Sequence, residues 1–213
     1  MSDPFIAMKR LELCLTAAGV VLLAALATSA VHAYDLLTWV MEVAPVLLAL
    51  PLLAGTFRKH PLTPLLYSLI FVHCVVLIVG GTYTYARVPI GFAVQDWLQL
   101  SRNPYDKLGH FAQGFVPAIL AREILIQGKH IQGRKMLVYV ILCIVLSFSA
   151  FYELIEWAAA LVMGQGADEF LGTQGDQWDT QSDMFFAMVG AICALVMLSR
   201  WHDRQLRRLR RPD

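Results

Sequence analysis

Three stretches of the sequence gather ionisable side chains at spacings that put them on shared helix faces. In Tyr105-Asp-Lys-Leu-Gly-His-Phe-Ala-Gln-Gly114, Asp106 and His110 are four residues apart and Gln113 follows on the same side. In Phe151-Tyr-Glu-Leu-Ile-Glu-Trp157, Glu153 and Glu156 are three apart, with Tyr152 beside them. In Asp176-Gln-Trp-Asp-Thr-Gln-Ser-Asp183, Asp176 and Asp179 precede or open a helix and Asp183 lies one turn below. Such groups can do three things. They can bind a divalent cation that polarises a phosphate or acyl group. Oxygen-rich ligands favour magnesium, calcium or manganese, and His110 admits zinc. They can relay protons or ions in a carrier, or they can form a structural hydrogen-bond network that locks helices together.

The elements that must carry these residues are membrane helices. Of 213 residues, 58% are hydrophobic and only 15% are charged. The mean hydropathy is +0.59. Soluble domains carry about 25% charged residues. About 20 apolar residues cross a bilayer as a helix, and six segments qualify: roughly 11–31, 36–56, 62–84, 106–126, 136–162 and 179–199. The second is the weakest, holding Glu42, Pro45 and Pro51, though prolines are tolerated in membrane helices. The run from Leu11 to Val31 is too long for a signal-peptide core, so an uncleaved first span is expected. The whole chain, 1–213, is expected to form one membrane domain.

Lysine and arginine set the orientation. Fourteen of the 17 basic residues lie at the termini, the 57–61 turn and the 127–135 connection with nearby Arg122. Only Arg87, Arg102 and Lys107 lie on the other connections. Six spans put the fourteen on one side, which places both termini in the cytoplasm. The run Arg200 to Arg211 then reads as a positive-inside anchor with Trp201 at the interface, or as a site for anionic lipid. Nucleic acid is not an expected partner. The connection 85–105 reads as an outer loop. Residues 163–178, with four glycines and three acids, read as a tight, shaped loop at the membrane surface.

Depth distinguishes the candidates. At about 1.5 Å per residue, Asp106 to His110 descends roughly 6 Å, and so does Asp179 to Asp183. Glu156 and Glu153 lie roughly 9 and 14 Å below the end of their span. Asp106 and Asp179 have a plainer reading as helix caps. His110, Glu153 and Asp183 lie inside apolar spans, where charge is costly and must be partnered. Glu42 and His73 are weaker candidates for the same cavity. Glu123 with Arg122 is expected to snorkel at the cytoplasmic end. Gly80, Gly81, Gly109 and Gly114 are expected to permit close packing. The four cysteines, Cys14, Cys74, Cys143 and Cys193, read as small buried hydrophobes and not a disulfide set.

The motifs Asp106 to Pro117, Phe151 to Trp157 and Phe170 to Met184 resemble the YjdF-like bacterial inner-membrane proteins, the DUF2238 family. A more distant resemblance is to VanZ-like membrane proteins. These share an Asp-Lys-x-x-His helix start, here Asp106, Lys107 and His110, then a glutamate-bearing helix, here Glu153, and an Asp-x-x-x-Asp start, here Asp179 and Asp183. The resemblances imply a multipass inner-membrane protein and hint at cell-envelope work, but they imply no particular reaction. The expectation is therefore an all-α, six-helix membrane bundle with a polar site near its outer face. That site is built from Asp106, His110, Glu153, Glu156, Asp179 and Asp183, supported by Gln113, Asp176 and Tyr152. A divalent metal is its candidate cofactor, and an envelope lipid or other amphipathic ligand is its candidate partner beyond the bilayer.

Overall fold

The computed structural model describes residues 4–163 and 173–209. Among these residues every regular element is a helix: α1 (Pro4–Val31), α2 (Leu36–Thr56), α3 (Pro64–Thr82), α4 (Pro89–Leu98), α5 (Tyr105–Gln127), α6 (Arg134–Met163) and α7 (Asp179–Leu209). Most of the glycine-rich 163–178 segment, and the last basic residues Arg210 and Arg211, lie outside the described residues.

Local chemistry sets the helix starts. Asp35 caps α2, its carboxylate accepting the Thr38 N–H at 2.7 Å. Thr63 caps α3 by accepting the Leu66 N–H, with Pro64 in the first turn. Pro45 and Pro51 do not interrupt α2. The 85–105 connection is not a plain loop. Pro89 starts the ten-residue α4, and Gln99 ends it in the left-handed region at φ 54°. Ile90, Phe92, Trp97 and Leu98 on α4 are exposed, the pattern of a helix lying in a membrane interface.

Among the described residues, five helices are long and apolar enough to cross a membrane: Lys9–Val31, Leu36–Thr56, Pro64–Thr82, Arg134–Val162 and Asp179–Leu209. Their outward faces are a sleeve of exposed aliphatic and aromatic side chains, among them Leu13, Leu48, Phe148, Val162 and Val196. Water would not tolerate a patch of that extent. The remaining expected span, α5, differs. Its 23 residues measure about 34 Å. Asp106, Lys107, Arg122 and Glu123 lower its hydropathy, and most of its side chains are buried or half-buried, with Leu108 and Ile124 exposed. It packs against α3, α6 and α7.

The parallel pair α5–α7 is the spine of the bundle. Lys107 meets Asp179 and Asp183 at one end, and Arg122 meets His202 and Asp203 at the other. Between them the backbones touch. A Cβ on Gly114 would strike the Ala187 carbonyl, and one on Gly190 would strike the Phe111 carbonyl. Gly80 and Gly109 have a different task from the expected helix-to-helix packing. Both make room for the ring of Tyr85, which wedges between α3 and α5. One apolar core joins α3, α5, α6 and α7, and a second joins α1, α2 and α3.

Two expectations are corrected here. Arg122 and Glu123 do not snorkel. Glu123 is fully buried, accepting from the Thr63 N–H and hydroxyl, Gln127 and His202, while Arg122 pairs with Asp203 at 2.6 Å. In the C-terminal basic run α7 continues to Leu209 and buries His202 and Leu206, while Arg200, Arg204, Arg207 and Arg208 stay exposed. Of the free cysteines, Cys74 is buried and Cys193 half-buried, but Cys14 and Cys143 stand on exposed faces.

Candidate functional site

The site forms where α5 and α7 begin and α6 packs against both. Its entrance is stitched by the connections before α5 and α7. Asn103 Oδ1 accepts the Tyr105 N–H, its side-chain amide donates to the Val88 carbonyl, and its backbone exchanges hydrogen bonds with the Gln174 side chain. Asn103 therefore organises the start of α5, so Asp106 is not needed as a cap. Arg102 reaches across to the Thr173 carbonyl at 2.6 Å, to Asp179 at 2.5 Å and to Asp176 at 3.5 Å. Asp176 also accepts the Trp178 N–H. Asp179 is engaged by Arg102 and Lys107, not merely as a helix cap.

Lys107 is the second fixed cation. Its ammonium lies 2.6 Å from Asp183, 2.8 Å from Asp179 and 3.7 Å from Asp106. One helical turn deeper, His110 stands among three carboxylates. Its Nε2 is 3.5 Å from Asp106 and 3.7 Å from Asp183, and its Nδ1 is 3.9 Å from Glu153. All four residues are buried. Ligand atoms from Asp106, His110 and Asp183 lie within 4.8 Å of one another. One oxygen each of Asp106 and Glu153 is buried without a hydrogen-bond partner.

Gln113 decides what His110 can do. Its side-chain oxygen lies 2.8 Å from Nδ1, so Nδ1 carries the hydrogen and donates it. A neutral ring then turns its Nε2 lone pair toward Asp106 and Asp183. A lone pair facing two carboxylates is repulsive unless a proton or a metal cation lies between them. The wider charge balance points the same way. Among the described residues, Glu42, Asp106, Glu153, Glu156, Asp176, Asp179 and Asp183 gather around two permanent cations, Arg102 and Lys107.

Below the cluster lies a cavity of about 530 Å³, bounded by α2, α3, α5 and α6. Glu156, Glu42 and His73 line it, together with Asp106 and His110. Tyr152 donates to Glu42 at 3.4 Å and sets its ring edge-on to His110. His73 Nε2 is buried without a partner. The rest of the wall is apolar, including Leu48 of α2 and Phe148, Phe151 and Ile155 of α6. These four are also exposed outward, so the cavity opens sideways between α2 and α6.

The sequence-predicted residues thus fall into three places. His110, Asp106, Glu153 and Asp183 converge, with Gln113 as the orienting group. Asp176 and Asp179 sit above them with Arg102. Glu156 and Tyr152 face the cavity with Glu42. Sequence reasoning undervalued Lys107 and Arg102, whose reach depends on the fold. The signal available was that they are nearly the only bases at this end of the chain.

The fold and site define an all-helical membrane protein with a buried acidic and imidazole cluster. The profile of the family described as "Predicted membrane protein (DUF2238)" matches residues 14–204. The chain is 64% identical over 178 residues to "Inner membrane protein YjdF" of Escherichia coli (strain K12), an alignment covering 84% of this chain and 85% of that protein. The chain belongs to the DUF2238 family, as its three motifs imply. The VanZ-like resemblance finds no support in the family match and is set aside. No solved structure matches. This is a multipass membrane protein whose relative resides in the inner membrane.

Proposed function

We propose that the protein crosses the inner membrane six times with both termini in the cytoplasm, and that its outward-facing cluster holds a divalent cation beside a cavity for an amphipathic ligand. The sixth crossing is α5, shielded from lipid by its neighbours. The distribution of 14 of 17 basic residues at the opposite end supports the orientation. In this reading Asp106, His110 and Asp183 are the ligands. Gln113 fixes the ring, and Lys107 holds Asp183 and Asp179 in place. Glu153 remains the spare carboxylate. The cation would draw the phosphate or carboxyl head of an envelope lipid to the cluster, and the apolar cavity would take its tail.

The observation that carries this reading is the placement of His110 Nε2 at 3.5 Å from Asp106 and 3.7 Å from Asp183, with Nδ1 turned to Gln113. The test is metal titration of the purified full-length protein with manganese, zinc or calcium, alone and as His110→Ala. The expected result is saturable binding and a melting temperature lowered by chelation, both lost in the variant. No binding at saturating metal, with melting indifferent to chelator, sinks the proposal.

A second reading is a carrier that relays protons or ions through the same acids. It is favoured by the polar groups that continue inward from His110: Tyr152, Glu42, Glu156 and the unpartnered His73. Proton-coupled uptake that survives Glu153→Gln and Asp183→Asn counts against it.

A further inference from the structure

We propose that a second groove, at the basic end of α1, α2 and α3, binds an anionic phospholipid. At the opposite end these helices are fastened together. The Trp39 indole donates to Ser29, and the Tyr34 N–H donates to the Thr82 carbonyl. Toward the basic end α1 and α2 separate and enclose a cavity of about 720 Å³. Leu15, Leu22, Leu53 and Phe71 are among its apolar walls.

Glycine behaves differently here than in the α5–α7 spine. Gly19 and Gly55 both line the groove, yet a Cβ on either would meet nothing within 4 Å. These glycines do not serve a close helix contact. They leave space open. From Glu12 at the mouth to Leu23 at the floor is eleven residues, about 16 Å. That is roughly half of a ~30 Å hydrocarbon core, the depth of one leaflet.

The mouth is charged to suit a phosphate. Arg58 and Lys59 follow α2 directly and line the groove. Lys9 lies one turn before Glu12 on the same face of α1. One carboxylate, Glu12, stands among these three cations. Its ion pair with Arg58 is long, at 3.6 Å, and the Arg58 side chain is 87% exposed. A pair of that kind contributes little and yields readily to a phosphate. The headgroup would rest on Arg58, Lys59 and Lys9, with an acyl chain lying along Gly19 and Gly55.

The experiment uses the full chain in bilayer discs of phosphatidylcholine with graded phosphatidylglycerol, reading retained lipid by native mass spectrometry. Wild type should retain phosphatidylglycerol in preference to phosphatidylcholine. Arg58→Gln and Lys59→Gln should each weaken that retention roughly fivefold. Glu12→Gln should strengthen it. Gly19→Leu with Gly55→Leu should abolish it without lowering the melting temperature, because the leucines enter open space. Equal retention of both lipids overturns the proposal. So does phosphatidylglycerol held undiminished in the filled groove, or a dimer that covers the groove in place of lipid. If the leucine variant folds poorly, the three surface substitutions carry the test, and an unchanged lipid preference in all of them overturns the proposal.

Discussion

Arg122 Nη1 donates to Nδ1 of His202 across 2.8 Å, and that bond fixes the state of the ring. A guanidinium has no lone pair to offer. Nδ1 must therefore accept, which leaves the hydrogen on Nε2, where it is donated to Glu123 at 2.7 Å. His202 is thus a neutral, oriented connector between a buried cation and a buried carboxylate. Glu123 receives four hydrogen bonds, two on each oxygen, from Thr63, Gln127 and His202. The network joins the start of α3 to the ends of α5 and α7.

Removing the carboxylate should therefore be worse than removing the ring. Glu123→Ala leaves the Thr63 N–H, the Thr63 hydroxyl and the His202 Nε2–H buried with no acceptor, each at about 1–3 kcal/mol. His202→Ala leaves Arg122 still paired with Asp203 and should cost about 1–3 kcal/mol. Thermal unfolding in detergent measures both. The reverse order would mean that the ring acts mainly through packing and not as a hydrogen-bond connector.

The glycines of the spine give a second prediction. Gly114→Ala and Gly190→Ala each drive a methyl group into a carbonyl of the facing helix, which the backbone must move to admit. Each should cost about 1–3 kcal/mol. Gly19→Ala fills open space and removes a helix-interior glycine, so it should be neutral or gain up to about 1 kcal/mol. Comparable losses at all three positions would contradict the close approach of α5 and α7.

The contrast among these glycines shows where sequence reading stops. Composition and apolar run lengths identify a helical membrane protein, because bilayer thickness imposes its length on every span. The shared faces of Asp106 with His110, and of Glu153 with Glu156, follow from helix geometry and needed no fold. What no spacing carries is which helix faces which. Arg122 and Glu123 read as an ordinary charged helix end, and only the parallel run of α5 beside α7 brings His202 to them. Lys107 and Arg102 were visible as bases, yet their long side chains have many reachable partners until the connections at Asn103 and Gln174 fix them. Gly19 and Gly114 are alike in sequence, and one opens a groove while the other closes an interface.

The orienting role of Gln113 yields a prediction distinct from loss of a ligand. Gln113→Ala keeps all three candidate metal ligands but frees His110 to turn its ring. Outer-shell losses of this kind typically weaken metal affinity by about 10–100-fold. Metal titration should then show weaker binding with unchanged stoichiometry in Gln113→Ala, and no binding in His110→Ala. Equal affinity in Gln113→Ala and wild type would show that the ring needs no such partner.

Asp35 offers a pH test outside the spans. Its carboxylate is held below the usual range, first by the Thr38 backbone N–H that it caps. A depressed folded value means that the charged form is favoured by folding, so the cap's contribution is complete above the ordinary value near 3.8. It is lost as pH falls through the lower folded value. Asp35→Ala should therefore destabilise the protein at neutral pH by about 1 kcal/mol, the usual worth of a capping bond. The gap between wild type and variant should narrow below about pH 4. Asp35→Asn can accept the same hydrogen bond without titrating, so its advantage over alanine should persist in acid. Melting curves of the three proteins from pH 7 to pH 3 decide the matter. A wild-type advantage over Asp35→Ala that stays constant through that range would mean that the charge on Asp35 contributes nothing to the start of α2.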